Sequence, residues 1–537
     1  MSGPAGVDVA IRNGLLVDGT GAPARREDVG IAGDRVVQVG RVDAAPTEID
    51  AAGLVVAPGF VDPHSHSDWT LHANRDAIST LQQGVTTEIV GNCGITNAPI
   101  SDVSLEAASA RLAAYGYPGP VRWRSFGDYL VDVETGGTGQ NLAFFVGHST
   151  LREAAGISGG TVTEDAATRM EDLLRDAMEA GALGMSSGLE YSLGASAGTG
   201  ELRRLAKVVG AYGGMYASHV RNRDAAIMES IEEFVSILEA GGGIDGQISH
   251  LNVRHDTNAP PDGWRRAVDL MSTARGRGLD VQADTTPFRQ GLGVMTGLLP
   301  GWLLDDGHQA AADRLGDPLV RSRLRGECDR YWRFVHKGQW QRVRLQNSPQ
   351  FPELNGLTFV EIARHRRQDE WDAYFDVLQA AGSGMGNLIM VGDLFTEEHL
   401  AEMVSHPLFS LGVDAYSSVD SGPLSEITTS PLSYSGHVHY LTHHVRDQKT
   451  LTLEEAVRKM SAMPARRFGL TGRGLVREGY FADLVVFDFE QLTSASTFEH
   501  PAVYPDGVRL VVVNGAVAVD GGRRTGRRDG RVLRRGS

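Results

Sequence analysis

Over about 400 residues the chain repeats one unit: a short β-rich run followed by a longer stretch with helical periodicity. The runs are LVVAPGFVDPHSH, TTEIVGNCG, NLAFFVGHST, ALGMSSGLE, GGMYASHVR, IDGQISHLN, LDVQADTTP, NLIMVGD and FSLGVDAYS. Stretches such as TEDAATRMEDLLRDAMEAG and RDAAIMESIEEFVSILEAG separate many of them. Neighbouring parallel strands need a crossover of a dozen or more residues, usually a helix, so this alternation predicts an α/β fold with a parallel (β/α)₈ TIM-like barrel. Nine runs compete for eight places, and one, near 281–287 or 387–392, is expected to be peripheral.

Both ends of the chain have a different texture. VDVAIRNGLLVDG and VGIAGDRVVQVG alternate apolar and polar residues around Gly and Asp turns, as do ADLVVFDF and VRLVVVNGAVAVDGG at the far end; these read as short antiparallel strands. The stretch 288–350 is rich in Trp, Arg and Gly and breaks the barrel rhythm, which predicts an insertion near the barrel mouth.

Composition removes several function classes. An excess of acidic residues, with a net charge of -16, argues against a nucleic-acid partner. No apolar run reaches the length of a membrane span and the amino terminus lacks a secretory pattern, so no membrane partner is expected and a cytoplasmic location is. Two cysteines, Cys93 and Cys328, are too few for a disulfide framework.

Chemistry enters with His64-Ser65-His66. Side chains on a strand alternate, so residues two apart face the same way, and both imidazoles can reach one cation at the carboxyl end of the first run. His219 closes GGMYASH, His250 closes DGQISH, Asp414 closes FSLGVD and Cys93 closes TTEIVGNC. In a barrel these positions converge at one mouth, where barrel enzymes keep their chemistry. A thiolate at Cys93 would be a strong zinc ligand. Cys328, inside the insertion, has no such setting and receives no role.

The ordered set GFVDPHSH, GNCG, GHSTLR, GLEY, SHVR, ISHL and the Asp-bearing last strand resembles the amidohydrolase superfamily, and within it the D-aminoacylase (N-acyl-D-amino-acid deacylase) family. MPARRFGLTGRGLVREGYFADLVVFD, near the carboxyl end, is also typical. The resemblance implies a small β-sandwich domain built from both ends (1–57 and 475–537) around a metal-dependent barrel (58–474) carrying the 288–350 insertion. It implies one tightly held Zn²⁺ on Cys93, His219 and His250, and a second, weaker or vestigial metal position on His64, His66 and Asp414. Related enzymes often bridge two metals with a carboxylated lysine. The lysines here, Lys207, Lys337, Lys449 and Lys459, include none at a strand end before His219, which favours Cys93 as the substitute.

The implied reaction is zinc-dependent hydrolysis of an amide, N-acyl-D-amino acid plus water giving a carboxylate and a D-amino acid. Zinc would activate water, and Asp414 would carry its proton to the departing amine. Tyr191 and His148 are implied substrate contacts; Arg152 and Arg221 could face a substrate carboxylate. The sequence departs from the family pattern in three places. Ser-Leu-Gly follows Tyr191 where a proline-containing loop is common, GVDAYSS replaces Gly-Ser-Asp-Gly, and Asn252 stands where a lysine is usual. The alternatives are an amidohydrolase acting on a cyclic amide, an isopeptide or a specialised natural-product amide, and a non-catalytic binding barrel. The partner is a small-molecule amide, and an oligomer is compatible with the sequence.

Overall fold

The computed structural model describes residues 6–117, 119–328, 331–428 and 430–536. Eight parallel strands form the barrel: β1 (Phe60–Asp62), β2 (Val85–Val90), β3 (Asn141–Phe144, resumed at Val146–Gly147), β4 (Gly184–Gly188), β5 (Met215–His219), β6 (Asp245–Ile248), β7 (Val281–Thr285) and β8 (Phe409–Leu411). Each pairs in parallel with the next. The ring closes just beyond the strands proper. Asp414 N donates to His64 O at 2.9 Å and His66 N donates to Ala415 O at 2.8 Å, so β8 and β1 continue as partners there.

The helices between strands follow the sequence pattern closely. In Glu164–Glu179, Thr163 caps the start by accepting from Ala166 N, and Glu164 and Asp165 occupy the first turn, where the helix dipole favours negative charge. Ala166, Met170, Leu174 and Ala177 repeat at three- and four-residue spacing and are buried on the barrel side. Burying each larger side chain contributes about 1.5–3 kcal/mol.

The run at 387–392 is the peripheral one. Ile389–Asp393 pairs antiparallel with Gln290–Val294 and with Val343–Asn347 in a separate three-stranded sheet. The insertion between β7 and β8 therefore extends from about 288 to 393, beyond the expected 350. Its second half holds the helices Phe359–Arg366 and Glu370–Ala381 before that strand, which locally looks like one more barrel unit. Whether a strand pairs parallel or antiparallel is decided by its partners, not by its own pattern. The insertion rests on the loop after β6: Lys337 pairs with Asp256, Arg342 donates to His255 O at 3.2 Å, and the Arg254 guanidinium lies 4.7 Å from the Tyr331 ring centre.

Both chain ends meet in a second body. Val55–Pro58 pairs antiparallel with Leu484–Phe487 inside a seven-stranded sheet, and a four-stranded sheet holds Val9–Arg12, Asp28–Ala32, Arg35–Gly40 and Thr47–Asp50. Ile11, Ile31, Val36, Val56, Leu484, Val486 and Leu510 pack between them. One strand departs from that plan. Val532–Leu533 pairs in parallel with β3 of the barrel. No helix among the described residues is long and apolar enough to cross a membrane.

Candidate metal centre

Every sequence-predicted ligand sits at the carboxyl end of a barrel strand. His64 and His66 follow β1, Cys93 follows β2, His219 ends β5, His250 follows β6 and Asp414 follows β8. Three of them hold left-handed backbone: φ is 54° at Cys93, 35° at His250 and 55° at Asp414. Each such residue costs about 1–3 kcal/mol and persists only where its surroundings over-determine it. After Cys93, Gly94 lets the loop approach β4 closely, since a side chain there would meet Gly188 N at 2.8 Å.

The strained loops aim their side chains at one point. Cys93 Sγ lies 3.3 Å from His64 Nε2 and 3.6 Å from His250 Nε2. Asp414 Oδ1 lies 3.1 Å from His66 Nε2 and 3.4 Å from His64 Nε2, and its Oδ2 is 3.8 Å from His250 Nε2. One donor atom from each of His64, Cys93, His250 and Asp414 falls within 4.8 Å of the others. The three imidazoles are buried, whereas the Asp414 side chain is 33% exposed.

Electrostatics identify what the cluster wants. Burial alone would raise the Cys93 thiol, but the His64 charge and hydrogen bonds from His219, His250 and His64 hold it well below its usual value. Burial opposes an ionised Asp414 too, and the positive field of His250 and His64 outweighs it. Burial lowers His66, yet Asp414 and Cys93 together push it up to about 9. A thiolate and a carboxylate thus share a buried space that demands compensating positive charge. With sulfur, imidazole and carboxylate donors, the set fits Zn²⁺.

His219 occupies a neighbouring position. Its ring centre is 4.5 Å from that of His250 and 4.6 Å from that of Tyr191, and its Nε2 is 2.8 Å from Glu190 Oε2. The Tyr191 hydroxyl is pushed well above its ordinary value by burial and by the Cys93 anion, so it is a neutral donor.

The other three expected contacts turn elsewhere. His148 Nε2 and Arg152 Nη1 both meet the Glu201 carboxylate, at 2.7 Å and 2.6 Å, and both side chains are 0% exposed. Arg152 also donates to Gly159 O and to Ser196 Oγ. Arg221 pairs with Glu233 at 2.9 Å and donates to the carbonyls of Ala195 and Ala197. These residues support the loop behind Tyr191; the expected substrate carboxylate contact is replaced by Glu201 and Glu233. Arg152→Ala should therefore act on stability, leaving the Glu201 carboxylate, 10% exposed, with His148 alone, at a cost of up to about 3–5 kcal/mol. Thermal melting should show that loss, and KM on whatever folds should change little.

Three residues that contact the cluster, Asp284, Glu190 and Arg223, escaped the sequence reading. Asp284, near the end of β7, accepts His250 N at 2.8 Å and lies 3.1 Å from His64 Nδ1, orienting two cluster members at once. Its strand-end position was the available signal. Glu190, one residue before Tyr191, collects His219, Arg254 at 2.6 Å and Arg223 at 3.4 Å. Arg223 Nη1 also reaches His250 Nδ1 at 3.0 Å and donates to Asn252 Oδ1 at 3.1 Å. Asn252, at the departure from the family pattern, is thus a partner of this network.

Comparison with known proteins gives a consistent result. Residues 47–233 and 389–519 match the model of the amidohydrolase family. The chain is 33% identical to D-aminoacylase from Alcaligenes xylosoxydans xylosoxydans, over 98% of each chain. A solved structure of D-aminoacylase, studied for one-metal activation and second-metal attenuation at its binuclear centre, superposes with a TM-score of 0.80 at 30% identity, covering 98% of this chain and 100% of the other. N-acyl-D-glutamate deacylase from Bordetella bronchiseptica, solved with zinc and a phosphonate mimic of the tetrahedral intermediate, superposes at 0.78 with 28% identity, covering 98% and 100%.

Proposed function

The chain belongs to the amidohydrolase family, and from that premise we propose that it is a zinc-dependent hydrolase converting an N-acyl-D-amino acid to a carboxylate and a free D-amino acid. The observation that carries this reading is the convergence of Cys93, His64, His250 and Asp414 on one buried point at the barrel mouth. Cys93 and His250 hold the tightly bound zinc. His219 completes that set through Nδ1, because Glu190 engages its Nε2, the usual way a carboxylate orients a ligating imidazole. His64, His66 and Asp414 frame the second, weaker position.

Bound zinc supplies an activated water and polarises the acyl carbonyl. The remaining work falls to the chain. Asp414, ionised and open to the mouth, accepts the water proton and returns it to the departing amine; one carboxylate can do both because the steps are sequential. His64 and His66 fix its Oδ1 between them. Tyr191 offers its hydroxyl proton beside Cys93. Arg223, set against His250 with a buried Nε lacking a partner, takes the place expected of Arg152 and Arg221 as the cation for a substrate carboxylate.

The test is a panel of N-acetyl amino acids in both enantiomers, with acidic and apolar side chains. kcat/KM should favour D over L by a wide margin, and exhaustive chelation should abolish turnover until zinc is restored. Turnover of L substrates instead, or of cyclic amides and isopeptides alone, would overturn the D-amino-acid assignment. Full activity after chelation would overturn the zinc.

A further inference from the structure

A second group of histidines lies outside the centre described above. The helix Leu432–His439 runs directly into a π-helix, Tyr440–Asp447. Within it Gln448 N donates to His443 O at 2.8 Å, five residues back. In an α-helix a residue five positions on lies about 140° round the axis, so His444 would face away from His439. The wider π turn instead sets residues four and five positions on to either side of the starting residue. His443 and His444 thereby flank His439, with ring centres 4.9 Å and 6.0 Å from it and 4.7 Å from each other. One ring nitrogen from each of the three lies within 4.8 Å of the others. π-helical segments are rare and occur frequently at functional sites.

The surroundings favour a ligand role over simple ring packing. His444 Nε2 donates to Pro287 O at 2.9 Å, which leaves its Nδ1 as a lone pair. An outer-shell carbonyl fixing the tautomer in this way is the common pattern for metal-bound imidazole. Phe288 stacks on His439 at 3.9 Å and fixes that ring from the other side. Glu397 Oε2 lies 3.5 Å from His443 Nε2, a carboxylate placed to orient that ring.

We propose that His439, His443 and His444, with Glu397 orienting His443 from outside, form a further divalent transition-metal site of the zinc class, made of residues the catalytic centre does not use. Its place in the fold gives it a purpose. Pro287 and Phe288 lead into the insertion, and Glu397 begins the helix Glu397–Ser405 just after it. Arg289 and Asp393, the pair at the base of the insertion, meet at 2.9 Å, and Arg289 reaches Glu397 at 3.7 Å. An ion here ties both roots of the insertion to the helix that follows β8.

The test uses tag-free, full-length, metal-stripped enzyme titrated with Co²⁺. An ion bound by Cys93 gives a thiolate charge-transfer band; ions held by histidine and carboxylate alone, at His64/His66/Asp414 or on the three-histidine site, give ligand-field bands alone, so the new site is read as the difference between wild type and variant. Wild type should bind about one more Co²⁺ per chain than His439→Gln/His443→Gln, and the missing class should be the one without the thiolate band. Glu397→Gln should keep that class with affinity weakened about 10- to 100-fold. Zinc should slow proteolysis within 288–393 in wild type and not in the double variant. The same Co²⁺ stoichiometry and spectra in wild type and variant would overturn the proposal. Should the double variant fail to fold, the half-buried His443→Gln alone decides: unchanged binding of the ion class lacking the thiolate band overturns the site.

Discussion

Asp414→Asn should lower kcat by about 10²–10⁴-fold while the protein keeps its fold and its tightly bound zinc. The side chain is nearly isosteric, and an amide cannot accept the water proton at neutral pH. The backbone favours this substitution over others: φ is 55° at Asp414, a region that Asn and Asp visit more readily than other side chains. The backbone bond from Asp414 N to His64 O, which helps close the barrel, is untouched. Asp414→Ala would add strain and open a gap between His64 and His66, mixing two effects. The measurement is kcat, zinc content and melting temperature on one preparation. Near-normal kcat with zinc retained would remove Asp414 from proton transfer. Joint loss of zinc and rate would make it chiefly a ligand.

Cys93→Ala should lose the tightly bound zinc and with it nearly all turnover, whereas Cys328→Ala should keep both. A methyl group cannot replace a thiolate donor, and the cluster would be left with imidazoles and one carboxylate around a weaker cation position. Cys328 is also fully buried, but it ends the helix Pro318–Glu327 in the insertion and serves as packing. Its removal trims one atom from a core and should cost stability modestly. Zinc analysis of both variants distinguishes them directly, and equal behaviour would show that the strand-end position of Cys93 carries no special chemistry.

The centre was legible because two geometric rules act on local sequence. Strand side chains alternate, which pairs His64 with His66, and parallel barrels bring all strand ends to one face, which gathers Cys93, His219, His250 and Asp414. Neither rule says which nitrogen of His219 is engaged, because Glu190 reaches it from a different strand end. Arginine chemistry was a poorer guide. Arg152 and Arg221 have the guanidinium a carboxylate substrate needs, but Glu201 and Glu233, on crossover helices, take them first. Arg223 stands two residues from Arg221 in the same loop, and only the folded chain shows which of them faces His250. The insertion was underestimated for a similar reason: Ile389–Asp393 is apolar and follows helices, so nothing local distinguishes it from a barrel strand.

The strand pairings also set an order of assembly on the ribosome. β1 has no lasting neighbour on one side until residues near 414 have been synthesised, because its partner there is the segment after β8. Val55–Pro58 waits for Leu484–Phe487, and β3 waits for Val532–Leu533, almost 400 residues further on. The first third of the nascent polypeptide therefore emerges with unpaired apolar strand edges that nothing already made can cover, a hazard for association with other chains. Polypeptides released early would carry His64, His66 and Cys93 without Asp414 to complete them. The complete cluster thus waits for synthesis beyond residue 414.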